Sequence, residues 1–576
     1  MQLLQTFSVL LASVWVAAAQ SSVDQYITRM TPISKRGILA NIGPNGANAR
    51  NAQPGVVIAS PDNDPDYRFF WTRDAALTYK ALTEQFTSGE DTTLRPLIDD
   101  FARSTARFQA LNTPSGSAAS LESLGEPKFK MDISPFTEPW GRPQRDGPPL
   151  RATAIIGYAN YLISTGNQTY VANTLWPIIK KDLDYTARFW NNTGFDLWEE
   201  VSSSSYFTTA AQHRALREGV TLAKALGQTA VVADYEKQAA NTLCFMQSYW
   251  NPAGYVTANT GGGRSGKDAN TILASIHTFD VSAGCDAKTL QPCSDKALSN
   301  LFQYVNAFRT AYALNSGIPA NQAVATGRYT EDVYYGGNPW YLTTLAVAEQ
   351  LYDALIVWKR QGSLQVTATS LPFFRTFSSG VTAGSYASNT ATFTTLTTAV
   401  KTFADGFVSV VEKYTPANGA LAEQYSRSNG TPLSATDLTW SYASALTAFA
   451  ARDGYIPSSW GAAGLAVPAT CERNTGGGGG NTVAVTFRAQ ATTVFGENIF
   501  ITGSVNELQN WSPEAAVALS AASYPTWTVT VNLPANTRVE YKYIRKNNGV
   551  VTWESDPNRV LTTPASGTFT QNDSWR

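Results

Sequence analysis

The amino-acid sequence predicts a large all-α domain, closed as an α/α barrel, followed by a small all-β domain. Three observations carry this. Between about residue 24 and 455, apolar residues recur at helical spacing and strand-like alternation is scarce. A run of five glycines, Gly476–Gly480, follows Cys471, and such a run reads as a flexible linker. Beyond it the pattern switches to period two through VAVTFRAQ, NIFITGSV, WTVTVNL, VEYKYIRK and VVTWES, as half-buried strands require. The chain's 576 residues suffice for one large domain plus a smaller one.

In chain order, the spacing predicts helices over Asp74–Phe86, Arg95–Leu111, Leu150–Ser164, Ser205–Leu226, Ala230–Trp250, Lys296–Leu314, Pro339–Lys359, Ala391–Lys413 and Thr436–Ala451, among others. Many are apolar on more than one face, as expected of helices buried between layers. A dozen such helices suit a closed barrel or a solenoid. No repeat of 34 or 40 residues is present, which argues against the solenoid.

Composition excludes several functions. Hydrophobic residues make up 43% and charged residues 15%, so the chain buries a core and is not disordered. Net charge is −1 with no basic tract, which removes the footprint of a nucleic-acid binder or a polybasic membrane anchor. Only two histidines occur, His213 and His277, both in helix-like runs and read as structural. A Ser-His-Asp triad or a typical catalytic zinc site is therefore not expected, and acid–base chemistry falls to carboxylates. Residues 1–19 have the form of a signal peptide, an apolar run ending in Ala17-Ala18-Ala19. Four cysteines are compatible with two disulfides. Sequons stand at Asn167, Asn191, Asn429, Asn510 and Asn572. The expectation is a secreted, extracellular protein with no membrane span.

The loops between helices are long and rich in Trp, Arg, Asp and Pro: DPDYRFFWTRD (64–74), EPWGRPQRDGPP (138–149), FDLWEEV (195–201), GRYTEDVYYGGNPW (327–340) and EQYSRSNGTPLSATDLTW (423–440). Long loops in a compact domain are generally functional, and these five are placed to converge on one end of a barrel. In FDLWEEV, Glu199-Glu200 follows Trp198 in an apolar setting. Burial beside a second carboxylate raises the pKa of a carboxyl group, the property a general acid near neutral pH requires. Arg73 with Asp74, Arg142 and Arg145 with Asp146, and Arg328 with Asp332 read as forks of donors for vicinal hydroxyls, or as plain ion pairs. Taken alone, Asp74 is as readily a helix cap and Glu423 an exposed loop residue. Gly261–Asp268 nearly spells a phosphate loop, but Asp268 stands where Ser or Thr would hold Mg²⁺ and no strand precedes it, so a surface turn is expected. Two carboxylate sites, several Trp and several Arg–Asp pairs on one helical scaffold match the needs of glycosidic bond hydrolysis.

These stretches, with GILANIG, RSGKDANT, SIHTFD and LSATDLTWSYA, resemble the fungal glucoamylases of glycoside hydrolase family 15 with a C-terminal starch-binding module of carbohydrate-binding family 20. The likeness runs from about Gly37 to Arg576. It implies an (α/α)₆ barrel with a pocket at one end and an all-β sandwich starch-binding domain. Its implied activity is inverting, exo-acting hydrolysis of terminal α-1,4 bonds of starch, with slower action on α-1,6 bonds. It implies Glu199 as general acid and Glu423 as general base. Sugar-binding positions fall on Tyr67, Trp71, Arg73, Asp74, Trp140, Glu200, Arg328 and Trp440. A first glucan site on the module falls on Trp511, Lys542, Trp553 and Asn558, a second on Phe495, Tyr524 and Trp527. The sequon at Asn510 adjoins Trp511, where a glycan would obstruct the first site, and is expected to be unoccupied or poorly occupied. The implied disulfides are Cys244–Cys471 and Cys285–Cys293. No metal or cofactor is implied; the implied partners are starch, amylose, amylopectin and malto-oligosaccharides, acted on by a monomer. A glucodextranase-like relative cutting α-1,6 bonds and a silent starch-binding protein are the alternatives. The domains are read as signal 1–19, barrel 20–470, linker 471–481 and module 482–576.

Overall fold

The computed structural model describes residues 22–472 and 482–576, except 514, 515, 536 and 548. The expected signal peptide and glycine run lie outside the described residues. The chain folds as two units, one built on residues up to Glu472 (Asn191–Thr193 aside) and one from Arg473 to Arg576.

The first unit contains, among the described residues, twelve helices of nine residues or more. They are α1 (22–40), α2 (Thr72–Thr87), α3 (Arg95–Phe108), α4 (Gly147–Ser164), α5 (Trp176–Phe189), α6 (Tyr206–Ala225), α7 (Val232–Met246), α8 (Ala269–His277), α9 (Asp295–Ala311), α10 (Tyr341–Gln361), α11 (Ala391–Tyr414) and α12 (Thr439–Arg452). The even-numbered helices pack in the order α2, α4, α6, α8, α10, α12 and back to α2. This closed ring of six is the inner wall of an (α/α)₆ barrel, and the odd-numbered helices pack outside it.

Burial distinguishes the inner helices from the outer ones. In α10, sixteen of 21 residues are buried, from Tyr341 through Trp358, so it presents an apolar or satisfied surface to neighbours all round. In α11 the buried residues reduce to a stripe including Leu396, Val400, Phe403, Phe407 and Val411, the i, i+4, i+7 signature of a helix with one wet face. Helix starts are marked locally. Asp268 accepts from Asn270 N, Ser294 from Ala297 N and Thr390 from Phe393 N, each satisfying a donor that the first turn leaves unpaired.

Both expected disulfides form, Cys244–Cys471 and Cys285–Cys293. His213 is buried and His277 half-buried, both in helices, and desolvation of the rings pushes both imidazoles down, His213 to about 4. Both serve packing, with His213 Nδ1 2.8 Å from the Ala239 carbonyl.

The second unit is a two-sheet sandwich. Its strands are β1 (Thr482–Gln490), β2 (Asn498–Gly503), β3 (Val517–Ala518), β4 (Ser520–Ser523), β5 (Thr526–Pro534), β6 (Arg538–Asn547), β7 (Val550–Trp553), β8 (Arg559–Thr562) and β9 (Thr568–Ser574). One sheet runs β4-β5-β1-β9, with β1 parallel to β9; the other runs β3-β2-β6-β7, with β8 also on β6. Alternation does what the sequence predicts. Val483, Val485, Phe487 and Ala489 of β1 face Val539, Tyr541 and Tyr543 of β6 in one core, where the two tyrosine hydroxyls donate to Asp573 at 2.8 and 2.9 Å.

Candidate active site

Every inner helix is entered from a loop whose last residue is Trp71, Asp146, Ser205, Asp268, Trp340 or Leu438. Residues of five of these entries line one cavity, and Asp268 of the sixth bonds Trp198 in its wall, so the entries gather at one end of the barrel. There they surround a cavity of about 650 Å³. Tyr67, Trp71, Arg73, Asp74, Trp140, Glu199, Glu200, Arg328, Glu423 and Trp440 all line it. Six N-termini carry the positive ends of their helix dipoles to the same rim, a setting that favours carboxylates.

Glu199 sits in a loop that its own sequence ties. Gly194–Phe195 pairs with Ser202–Ser203, and the buried Asp196 carboxylate accepts from the backbone N–H of Glu200 and of Val201 at 3.0 and 3.1 Å. The turn leaves Glu199 at φ 66°, a left-handed conformation that costs a non-glycine residue about 1–3 kcal/mol. Its carboxyl is aimed into the cavity and held on both oxygens. Oε1 accepts from Trp71 Nε1 at 2.9 Å and Gln144 Nε2 at 3.0 Å, with Arg73 Nη2 at 3.4 Å; Oε2 accepts from Trp140 Nε1 at 2.8 Å.

Glu200 does not form the carboxylate pair that adjacency suggests. Its oxygens take Arg328 Nη2 at 2.9 Å, Arg264 and the Tyr329 hydroxyl. Burial pushes its pKa up, but these cations and the hydroxyl outweigh that and hold it below the usual range. Arg328 is clamped in turn by Asp332, with Nε at 2.8 Å and Nη2 at 2.6 Å.

Glu423, which its own surroundings in the sequence suggest is an exposed loop residue, is 3% exposed. Oε1 accepts from the Tyr67 hydroxyl at 2.9 Å; Oε2 accepts from Gln424 Nε2 at 2.9 Å and Ser434 Oγ at 2.6 Å. Burial raises its pKa, and these hydrogen bonds and Arg328 pull the other way. The strand Gln424–Tyr425, paired with Pro432–Leu433 and bridged to Trp340, fixes its backbone.

Arg73 donates to Gln144 Oε1 at 2.9 Å and Asp146 Oδ2 at 3.0 Å. Asp74 does not cap α2, whose N-cap is Trp71 without a side-chain bond. It lies 3.7 Å from Arg73 Nε, and burial raises its carboxyl to about 7. Arg142 and Arg145 are plain structural pairs and not sugar-gripping forks. Arg142 Nε bonds Glu126 at 2.9 Å and Arg145 Nη1 bonds the Tyr185 hydroxyl at 3.0 Å. Asp268 is no surface residue either; it accepts from Trp198 Nε1 at 2.8 Å while capping α8. Lys128, Gln144, Arg264 and Tyr334 contribute to the site without having been singled out, because only tertiary folding brings them near Glu199, Glu200 or Tyr67.

On the second unit, Phe495, Tyr524 and Trp553 are exposed, Asn558 is exposed with its amide on Glu540 Oε2 at 3.1 Å, and Trp511 is half-buried at φ 63°. Trp527 and Lys542 are buried. The Trp527 indole donates to the Ala491 carbonyl at 3.1 Å, and the Lys542 ammonium to the Glu554 carbonyl at 3.3 Å and to Asp556. The Asn510 side chain lies outside what is described.

An α/α barrel with two carboxyls in one aromatic-walled pocket defines a carbohydrate-cleaving hydrolase. Comparison with known proteins agrees. Residues 32–450 match Glycosyl hydrolases family 15 and residues 482–573 match the Starch binding domain. Glucoamylase-1 of Schizophyllum commune is 62% identical over 562 residues, covering 97% of each chain. Glucoamylase of Neurospora crassa is 48% identical, covering 96% of this chain and 94% of that one. The solved family 15 glucoamylase of Hypocrea jecorina is 50% identical and superposes with a TM-score of 0.77 over 96% of this chain and 100% of that one. The chain belongs to glycosyl hydrolases family 15 and carries a C-terminal starch binding domain.

Proposed function

We propose that Glu199 and Glu423 divide between them the hydrolysis of the terminal α-1,4-glucosidic bond of starch. The chain is then a glucan 1,4-α-glucosidase of the glucoamylase kind, acting from non-reducing ends and inverting the anomeric centre. The observation that carries this reading is the pair of carboxyls in one pocket with unlike surroundings. Glu199, held by two indole N–H groups and an amide, protonates the glycosidic oxygen as the bond to C1 breaks. Glu423, buried and raised in pKa, takes a proton from a water that attacks C1 on the opposite face. The products are β-glucose and a chain one unit shorter.

Tyr67, Trp71, Trp140 and Trp440 offer apolar faces to pyranose rings, while Arg73, Glu200 and Arg328 offer charged partners, and Asp74 a buried carboxyl, to hydroxyls. The exposed Phe495, Tyr524 and Trp553 of the sandwich supply further stacking faces for a glucan. We read the substrates as amylose, amylopectin and malto-oligosaccharides and the enzyme as a monomer. Export fits the two disulfides. No described helix is long and apolar enough to cross a membrane.

Proton NMR of the sugar released from maltoheptaose in the first minutes, before mutarotation, tests the assignment. The expected product is the β-anomer, and Glu199→Gln is expected to reduce kcat by several orders of magnitude with starch binding retained. Release of α-glucose would overturn the base assignment, and a fully active Glu199→Gln would overturn the acid.

A further inference from the structure

Lys128 is buried in the wall of the active pocket, opposite Trp71 in the two-residue ladder Phe70–Trp71 with Lys128–Phe129. Among the described residues its ammonium has no hydrogen-bond or ion-pair partner. It stands instead over four rings, 3.8 Å from the centroid of Trp140, 4.1 Å from Phe69, 4.3 Å from Phe136 and 4.4 Å from Trp71. A cation prefers such faces when it is desolvated, but a surface lysine would meet the same need in water. Two of the four rings are those whose N–H groups hold the two oxygens of Glu199.

We propose that Lys128 is a positioning residue for Glu199: its ammonium, shared between the Trp71 and Trp140 faces, fixes both indole N–H donors against the acid and strengthens them. The proposal rests on the reading of Glu199 as the general acid. The physical reason is that a cation over an aromatic face draws electron density from the ring. The indole N–H then becomes a stronger donor to a carboxylate. Stronger donors, and a positive charge nearby, stabilise the carboxylate left behind when the glycosidic oxygen takes the proton. Both rings are also locked, because rotating either indole away from Glu199 would strip the ammonium of a face. An uncharged side chain of similar length would fill the space without doing either.

The test compares Lys128→Met and Lys128→Arg with the full-length enzyme on two substrates. Maltose needs its leaving oxygen protonated, whereas α-glucosyl fluoride departs with little proton assistance. Lys128→Met is expected to lose about tenfold or more in kcat on maltose and less than threefold on the fluoride. Lys128→Arg, which keeps the charge over the rings, should restore most of the maltose activity. Equal losses on the two substrates would overturn the proposal and leave Lys128 a packing residue. So would an unimpaired Lys128→Met. Should Lys128→Met fail to fold, Lys128→Gln, uncharged but with a polar tip, takes its place, with the same split between the two substrates expected and the same result overturning the proposal. Failure of the acid assignment is separately visible, as activity surviving in Glu199→Gln.

Discussion

Tyr67 shows how much of the chemistry rests on single side chains. Its hydroxyl donates to Glu423 Oε1 and stands 2.6 Å from the Tyr334 hydroxyl. A hydrogen bond to a charged group contributes about 1.5–3 kcal/mol, so Tyr67→Phe should lower kcat on maltose by roughly tenfold. The pH profile should also move. The Tyr67 hydrogen bond lowers the pKa of Glu423 against the burial that raises it. Without that bond the base protonates at higher pH, and the acidic limb shifts upward. A kcat–pH series on the variant checks both, and an unmoved acidic limb would refute the link to Glu423. At this scale the sequence was legible wherever a motif was long. Glu199, Arg73 and Arg328 lie in such stretches and all line the pocket. Glu423 was not legible from its own surroundings, because a short strand pair and Trp340, 83 positions upstream, decide its burial. Lys128 was illegible for the same reason, since its four rings come from two separate loops.

Among elements, the loop that enters α8 is the instructive case. Asp268 caps that helix and accepts from Trp198, whose ring lies 6.4 Å from Trp440 in a stacked arrangement. One carboxyl thus ties a helix start to the aromatic wall of the pocket. Removing it strips the cap and leaves a buried indole N–H unpaired. Asp268→Ala should cost about 2–4 kcal/mol from these two effects together, read as a shift of the urea midpoint with unchanged slope. It should also raise KM, because Trp198 is freed to turn. Stability within about 0.5 kcal/mol of wild type would show that the cap carries no weight. Periodicity found the helices, since it depends only on near neighbours along the chain. It said nothing of which helices are inner, a property that emerges when six of them are seen to bury nearly every face. Nor could the Gly261–Asp268 string reveal that its last residue turns inward.

For the whole molecule, burial of carboxyls sets an acid-leaning stability. Burial raises Asp74 and Asp268 to about 7 from 3.8. At the end of the barrel away from the pocket, Glu349 and Asp353 of α10 line a cavity of about 50 Å³ with Lys80 and Glu84 of α2 and Thr447 of α12. Burial raises both acids there, and Glu349 raises Asp353 further. Between about pH 4 and 7 the native state keeps protons that the unfolded chain releases, so these groups make stability fall as pH rises. His213 and His277, depressed by burial, act in the opposite sense as pH falls below 6.5. Asp182, Asp196 and Glu423 are raised by burial as well, so the carboxyls outweigh the two imidazoles and give a net fall toward neutrality. Calorimetry should find Tm several degrees higher at pH 5 than at pH 7.5, and the difference should shrink in Glu349→Gln/Asp353→Asn. A higher Tm at pH 7.5 would contradict the assignment.

The ring of inner helices also has a consequence for how the protein is made. It closes only when α12 meets α2, and 380 residues separate Thr72 from Arg452. At roughly 5–20 residues per second that is on the order of 20–80 s, during which the apolar flanks of α2 face no partner on one side. The nascent barrel therefore waits, open along one seam, until its last helix leaves the ribosome. A message cut short anywhere before α12 yields an unclosed chain with no pocket, and the cell meets it as a client for chaperones.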